Sequence, residues 1–192
     1  MVYPEDHYKN KILTIPNVLS FFRLCLIPLI VWQYVGKHSY LMALYLLALS
    51  GLTDIADGII ARNFNMVSDF GKAFDPVADK LTQIATLFCL VTRFHTMWLP
   101  LILLIAKELF AGITGLMMVK KGIIIGADWH GKVATVLLYG TMLIHLAWVN
   151  ILPAVSNILV GACTAMIILS GILYGIRNMK YLRSGKDKYD KS

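Results

Sequence analysis

Apolar residues in this 192-residue chain gather into six long runs, over 16–36, 40–60, 73–93, 97–119, 131–150 and 153–176. Each run is close to the ~20 residues that a helix needs to cross the hydrocarbon of a bilayer. Strand-like alternation is absent, and irregular backbone facing lipid would leave peptide groups unpaired, so helices are the expected form. The pattern predicts an all-α, polytopic membrane bundle of six transmembrane helices. Residues 1–15 read as a short interfacial N-terminal segment and 177–192 as a basic cytoplasmic tail. No linker-like tract, low-complexity stretch or internal repeat interrupts the pattern, so 1–192 is expected to be a single membrane domain. The first run follows a polar segment and is long enough to span, so it reads as retained rather than cleaved.

Composition strengthens the membrane reading. Only 15% of residues are charged against 58% hydrophobic, too few charges to cover a soluble domain of this size. Loop charges orient the spans. Lys9 and Lys11 precede the first run, Arg62 and Lys72 lie between the second and third, and Lys120, Lys121 and Lys132 lie between the fourth and fifth. Arg177, Lys180, Arg183, Lys186, Lys188 and Lys191 follow the last, whereas the opposite side offers only Lys37 and Arg93. Both termini and the loop around residues 60–72 are therefore expected on the cytoplasmic side of a cell membrane. Trp32, Trp98, Trp129 and Trp148 sit near the ends of runs, as interfacial anchors do. The net charge of +7 is spread over separate loops beside a membrane, which argues against nucleic acid as a partner. Cys25, Cys89 and Cys163 each stand alone in apolar stretches and read as packing residues.

Five of the eleven acidic residues fall within 54–79: Asp54, Asp57, Asp69, Asp75 and Asp79. Asp54 and Asp57 are three apart and Asp75 and Asp79 four apart, so each pair occupies one face of a helix. Two antiparallel helices joined by a short turn would bring those faces together. Four carboxylates crowded near a membrane repel one another and are costly to desolvate unless cations neutralise them. One or two divalent ions are the economical solution, and an oxygen-only donor set favours Mg²⁺ or Mn²⁺. Gly58, Ala61 and Gly71 are small enough to let a ligand approach the helix backbones, and Arg62 suits bidentate phosphate binding. Such a site fits phosphoryl chemistry. A divalent-cation transporter would use the same residue types, although transport sites tend to lie at mid-bilayer on broken, repeat-related helices.

The spacing Asp54-x-x-Asp57-Gly58-x-x-Ala61-Arg62, then Gly71-x-x-x-Asp75-x-x-x-Asp79, resembles the signature of the CDP-alcohol phosphotransferases. Ile15-Pro16-Asn17-Val18-Leu19-Ser20-Phe21-Phe22-Arg23, Phe74-Asp75-Pro76-Val77-Ala78-Asp79-Lys80 and Gly131-Lys132 are similar to the phosphatidylglycerophosphate synthase branch. The resemblance implies a homodimeric six-helix membrane enzyme using CDP-diacylglycerol. It implies that Asp54, Asp57, Asp75 and Asp79 hold two Mg²⁺ or Mn²⁺ ions and that Asp79 is also the general base. It places Gly58, Ala61, Arg62 and Gly71 around the CDP moiety, with Asn17, Ser20 and Ser68 where further nucleotide contacts fall. For the acceptor it implies glycerol 3-phosphate, giving phosphatidylglycerophosphate, with Lys107, Lys132 and Arg177 as the cations for its phosphate. Two departures keep a cardiolipin synthase using phosphatidylglycerol open: Ala106-Lys107-Glu108 stands where the branch has Ala-Arg-Glu, and Val133-Ala134-Thr135 lacks a second lysine after Gly131-Lys132.

Lys107 and Glu108 lie mid-run, where ionisable groups face a cavity or a partner. Neighbouring helical positions point ~100° apart, so these two are not expected to pair with each other. His130 reads as a hydrated interfacial residue, and Arg23 divides between a substrate role and a structural one. The orientation is testable. Cysteines introduced at Met66 and Asp187 should label from the cytoplasmic side and one at His38 from outside; labelling of 66 and 38 from the same face would contradict the six-span arrangement.

Overall fold

A computed structural model describes residues 14–63, 69–120 and 129–189. Most of the expected interfacial segment, 1–13, lies outside them. Among the described residues there are six α-helices and no strand: α1 (Ile15–Val31), α2 (Tyr40–Asn63), α3 (Asp69–Val91), α4 (Trp98–Lys120), α5 (Trp129–Ala147) and α6 (Pro153–Tyr189). α1 starts where Thr14 caps it by accepting from the Asn17 N–H at 3.4 Å, and Pro16 stands in the first turn, where no N–H is needed. At its other end α1 widens into a π-turn, Trp32–Gly36, closed by Lys37 N donating to Trp32 O at 3.0 Å. A Cβ on Gly36 would come within 3.0 Å of Trp32 Cδ1, so glycine lets the indole lie against the turn. His38, at φ 52°, supplies the left-handed step that redirects the chain into α2. Pro76 lies inside α3 without ending it.

Among the described residues, four helical segments are long and apolar enough to cross a membrane: Ile15–Gly36, Tyr40–Ile60, His95–Met118 and Pro153–Tyr181. Six were expected. α3 differs because its first half carries Asp69, Lys72, Asp75, Asp79 and Lys80, and α5 because it is 19 residues long and includes His130, Lys132 and His145. The last helix continues past the expected end of its apolar run, as far as Tyr189.

The helices group into two compact units. In the first, formed by the chain up to Arg93 with Met142–Asn150, α1 packs on both α2 and α3. Its interior is unusually polar: Ser20, Arg23, Ser50, Asp57, Thr82 and Gln83 are buried beside Leu26, Ile30, Leu47 and Leu87. Phe21, Leu41, Tyr45, Leu52, Ile55 and Phe88 are exposed instead. A water-soluble domain would reverse that arrangement; lipid accounts for it, since hydrocarbon covers the apolar exterior and polar groups satisfy one another inside. Away from the acidic cluster, the Arg93 guanidinium lies 4.7 Å from the centre of the Tyr40 ring, and its Nη2 donates to Val149 O at 2.6 Å. Tyr40 in turn meets Tyr34 edge-on at 5.0 Å.

In the second unit, Phe94–Thr141 with Ile151–Ser192, α4 packs on α6. Asn178 Nδ2 of α6 donates to Thr114 Oγ1 of α4 at 2.8 Å, and the Thr114 hydroxyl donates to Phe110 O at 2.8 Å. α5 meets α6 at Gly131, where a Cβ would fall 2.7 Å from Tyr174 Oη. The glycine therefore leaves room for the tyrosine. His130 is buried here, contrary to the hydrated position expected for it. Its Nδ1 lies 3.2 Å from Ser170 Oγ and its ring meets Tyr174 edge-on at 4.7 Å, because the gap beside Gly131 draws α6 close while Trp129 takes the exposed position.

Replacing Thr114 by Val keeps the shape but leaves the Asn178 amide without its acceptor. Unfolding measured in detergent should show a loss of about 1 kcal/mol, the usual scale of a helix–helix hydrogen bond in a membrane protein. Unchanged stability would mean that Asn178 finds another acceptor.

Candidate active site

The site is built on the first unit, where α1 contributes the polar face that meets the acids of α2 and α3. Ser20 and Arg23 are three residues apart and share that face. Both are fully buried. The Arg23 guanidinium spans two carboxylates of α2: Nη1 is 2.8 Å from Asp54 Oδ1 and Nη2 is 2.5 Å from Asp57 Oδ2. Asp57 is 1% exposed at its side chain while Asp54 is 44% exposed, so the fork joins an interior carboxylate to one at the rim. Asp57 also accepts from the Gly58 backbone N–H. Ser20 Oγ contacts the Asp75 carboxylate of α3 and Pro16 O, the latter at 2.9 Å, and its single proton serves one of them at a time. One turn after Asp75, Asp79 Oδ2 accepts from Gln83 Nε2 at 2.8 Å and lies 3.9 Å from Lys80 Nζ.

Electrostatics explains why so many partners are recruited. The charge of Asp57 acts on Asp75 and Asp54, and that of Asp54 on Asp79 and Asp75, so the four carboxylates repel as one group. Among the described contacts Arg23 and Lys80 oppose them. By donor chemistry, crowded carboxylates with oxygen-only donors suit a divalent cation. Among the described residues, no group of three or more His, Cys, Asp or Glu side chains is placed to hold a metal ion.

Three further expected site residues lie on the same helices as these side chains. Asn17 is buried on α1 one turn before Ser20, Gly58 follows Asp57 directly, and Gly71 lies in the first turn of α3. Ser68 lies outside the described residues, and so do the side chains of Ala61 and Arg62. The three acceptor candidates belong to the second unit. Lys132 is exposed on α5, and Arg177 on α6 stacks its guanidinium 4.9 Å from the centre of the Tyr174 ring. Lys107 corrects an expectation: its Nζ pairs with Glu108 Oε1 at 2.9 Å, although the two positions are adjacent. Four flexible methylenes let the ammonium curl back over the helix surface, and a half-buried carboxylate is a strong attractor in a dry setting. The Lys107 stem also runs along α6, 3.5 Å from where a Gly171 Cβ would stand. Residue reading left the roles of Arg23 and Gln83 undefined. Arg23 carried one signal, being ionisable inside an apolar run and three residues after Ser20; Gln83 carried only its position one turn after Asp79.

The family model for CDP-alcohol phosphatidyltransferase matches residues 13–172. The chain is similar to a cardiolipin synthase (CMP-forming) of Streptomyces coelicolor, 33% identical over 187 residues, covering 91% of this chain and 87% of that protein. It is also similar to a CDP-diacylglycerol–glycerol-3-phosphate 3-phosphatidyltransferase of Aquifex aeolicus, 29% identical over 176 residues, covering 88% of this chain and 98% of that protein.

Proposed function

The chain belongs to the CDP-alcohol phosphatidyltransferase family, and from that premise we propose that the Asp54–Asp79 cluster transfers the phosphatidyl group of CDP-diacylglycerol to a glycerol hydroxyl. A single observation supports this reading: three carboxylates of α2 and α3, Asp54, Asp57 and Asp75, converge on the buried Ser20 and Arg23 of α1, with Asp79 one turn further along α3. A phosphatidyltransferase of this family needs such a place for a nucleotide pyrophosphate. The transporter alternative loses its support with the family assignment.

Asp54, Asp57, Asp75 and Asp79 would hold Mg²⁺ or Mn²⁺, and the ions would supply charge neutralisation at the pyrophosphate and at the leaving phosphate. The protein's own side chains do the rest. Asp79 takes the proton of the acceptor hydroxyl, with Gln83 holding the carboxylate at Oδ2. The deprotonated oxygen forms a bond to the lipid-bearing phosphorus as the bond to the CMP oxygen breaks, so CMP leaves with the electron pair. Asn17, Ser20, Gly58, Ala61, Arg62, Ser68 and Gly71 are assigned to the CDP moiety. Six spans remain our proposal, with α3 and α5 crossing while their polar residues face protein rather than lipid. So do a single domain over 1–192, a homodimer, and a site on the cytoplasmic side, where the nucleotide is soluble and the acyl chains stay in the bilayer.

Two acceptors fit. The motifs of α1 and of Asp75–Lys80 favour glycerol 3-phosphate, with Lys107, Lys132 and Arg177 available for its phosphate. The Lys107–Glu108 pair favours phosphatidylglycerol, because an ammonium already neutralised at 2.9 Å has less to offer a dianion. Purified protein supplied with CDP-diacylglycerol and Mg²⁺ should be offered glycerol 3-phosphate, phosphatidylglycerol, serine, inositol and inositol phosphate separately, with products identified by mass. Phosphatidylglycerophosphate lost on Lys132→Ala supports the first acceptor; cardiolipin without response to glycerol 3-phosphate supports the second. With either acceptor, Asp79→Asn should lower kcat by more than about 100-fold, the usual scale of a general base with a weakened metal site. Near-normal turnover would move the base elsewhere.

A further inference from the structure

We propose that Arg23 is the positioning residue of the carboxylate cluster, a fork that fixes the spacing of Asp54 and Asp57 so that both can engage one divalent ion. The inference rests on the metal reading above and adds a role for a residue outside the acidic motif. Arg23 is fully buried and among the largest side chains with no exposure. A guanidinium without partners at such a position would be costly, yet its two terminal nitrogens each meet a different carboxylate, at 2.8 and 2.5 Å. Asp54 and Asp57 lie three residues apart on α2, so the guanidinium of α1, ion-paired with one and hydrogen-bonded to the other, sets the distance between their carboxylates. Each carboxylate thereby has one oxygen committed to Arg23, which fixes the direction of the other. Orientation of metal-binding carboxylates by hydrogen-bonded neighbours commonly changes metal affinity by about 10–100-fold.

Ser20 serves the opposite wall in the same way. It reaches Asp75 from one turn earlier on the same face of α1, so one helix face holds carboxylates of both neighbouring helices. Charge alone does not require an arginine at position 23, because a lysine would also soften the repulsion. A lysine offers one point charge on a shorter reach, however, and cannot meet two carboxylates at two separate nitrogens. Neutralisation and geometry can therefore be separated by substitution.

The experiment uses the full chain in detergent and compares wild type, Arg23→Lys and Arg23→Met. Mn²⁺ binding is followed by electron paramagnetic resonance, and melting is recorded in EDTA and in Mg²⁺. Arg23→Met should melt earlier than wild type in EDTA, with much of the deficit recovered in Mg²⁺, and should bind Mn²⁺ about 10-fold or more weakly. Arg23→Lys should restore melting in EDTA and leave Mn²⁺ binding weakened. Mn²⁺ affinity equal to or tighter than wild type in Arg23→Lys would overturn the proposal, whatever Arg23→Met shows, and reduce Arg23 to a source of charge or a structural ion pair. Failure of the wild type itself to bind Mn²⁺ would overturn the metal reading and this inference together, so the two failures are distinguishable. If Arg23→Met does not accumulate, Arg23→Lys decides: weakened Mn²⁺ binding supports the fork, and wild-type affinity refutes it.

Discussion

Like charges held together in a place with little water must be compensated, and most of the first unit can be understood from that requirement. Asp54, Asp57, Asp75 and Asp79 stand on two helices that expose apolar residues such as Leu52, Ile55, Val77 and Leu81. Left alone, their repulsion would drive α2 and α3 apart or force protons onto the carboxyls. The chain answers with α1, which brings Arg23 to the α2 pair and Ser20 to Asp75. Gln83 and Lys80 attend Asp79 from within α3. Removing one partner from a buried charge pair costs far more than the pair itself contributes. The polar face of α1 thus stabilises the packing of the acidic helices, and under the proposed function the same cluster would receive a cation and a nucleotide.

The bilayer imposes the complementary constraint. Aromatic and aliphatic side chains such as Phe21, Tyr45, Leu52 and Ile55 are exposed because hydrocarbon is as good a neighbour to them as a protein core. Association of the helices has to come from shape and from polar contacts. Close approach at Gly131 against Tyr174, and the Asn178–Thr114 bond, do this in the second unit. Ion pairing by Arg23 does it in the first, so in that unit a contact that builds the fold also joins two members of the candidate site.

Much of this was legible in the residues. The apolar runs foretold every helix that the structure describes, since a run of that length has few other solutions in lipid. The three- and four-residue spacing of the aspartates foretold their shared faces, because helical periodicity is a local property. Tertiary choices were less legible. Whether Arg23 would meet a substrate or Asp54 and Asp57 depends on how α1 rotates against α2, which no local pattern encodes. Lys107 and Glu108 were expected apart on backbone direction, yet side-chain flexibility let them pair. His130 was expected in water; the room made by Gly131 placed it against Ser170 and Tyr174. α3 and α5 were counted as spans from their apolar share, and the charges that make α3 useful are what separate it from the four plainly apolar segments.

The central claim is that the aspartate cluster performs metal-dependent phosphatidyl transfer, and release of CMP from CDP-diacylglycerol tests it most directly. Purified protein in mixed micelles with donor and acceptor should liberate CMP in Mg²⁺ or Mn²⁺, stop in EDTA, and resume when the ion is returned in excess. Asp57→Asn and Asp75→Asn, which retain side-chain shape while losing charge, should be inert under every condition though still folded. CMP release that persists in EDTA, or that survives either substitution at the wild-type rate, would contradict the account.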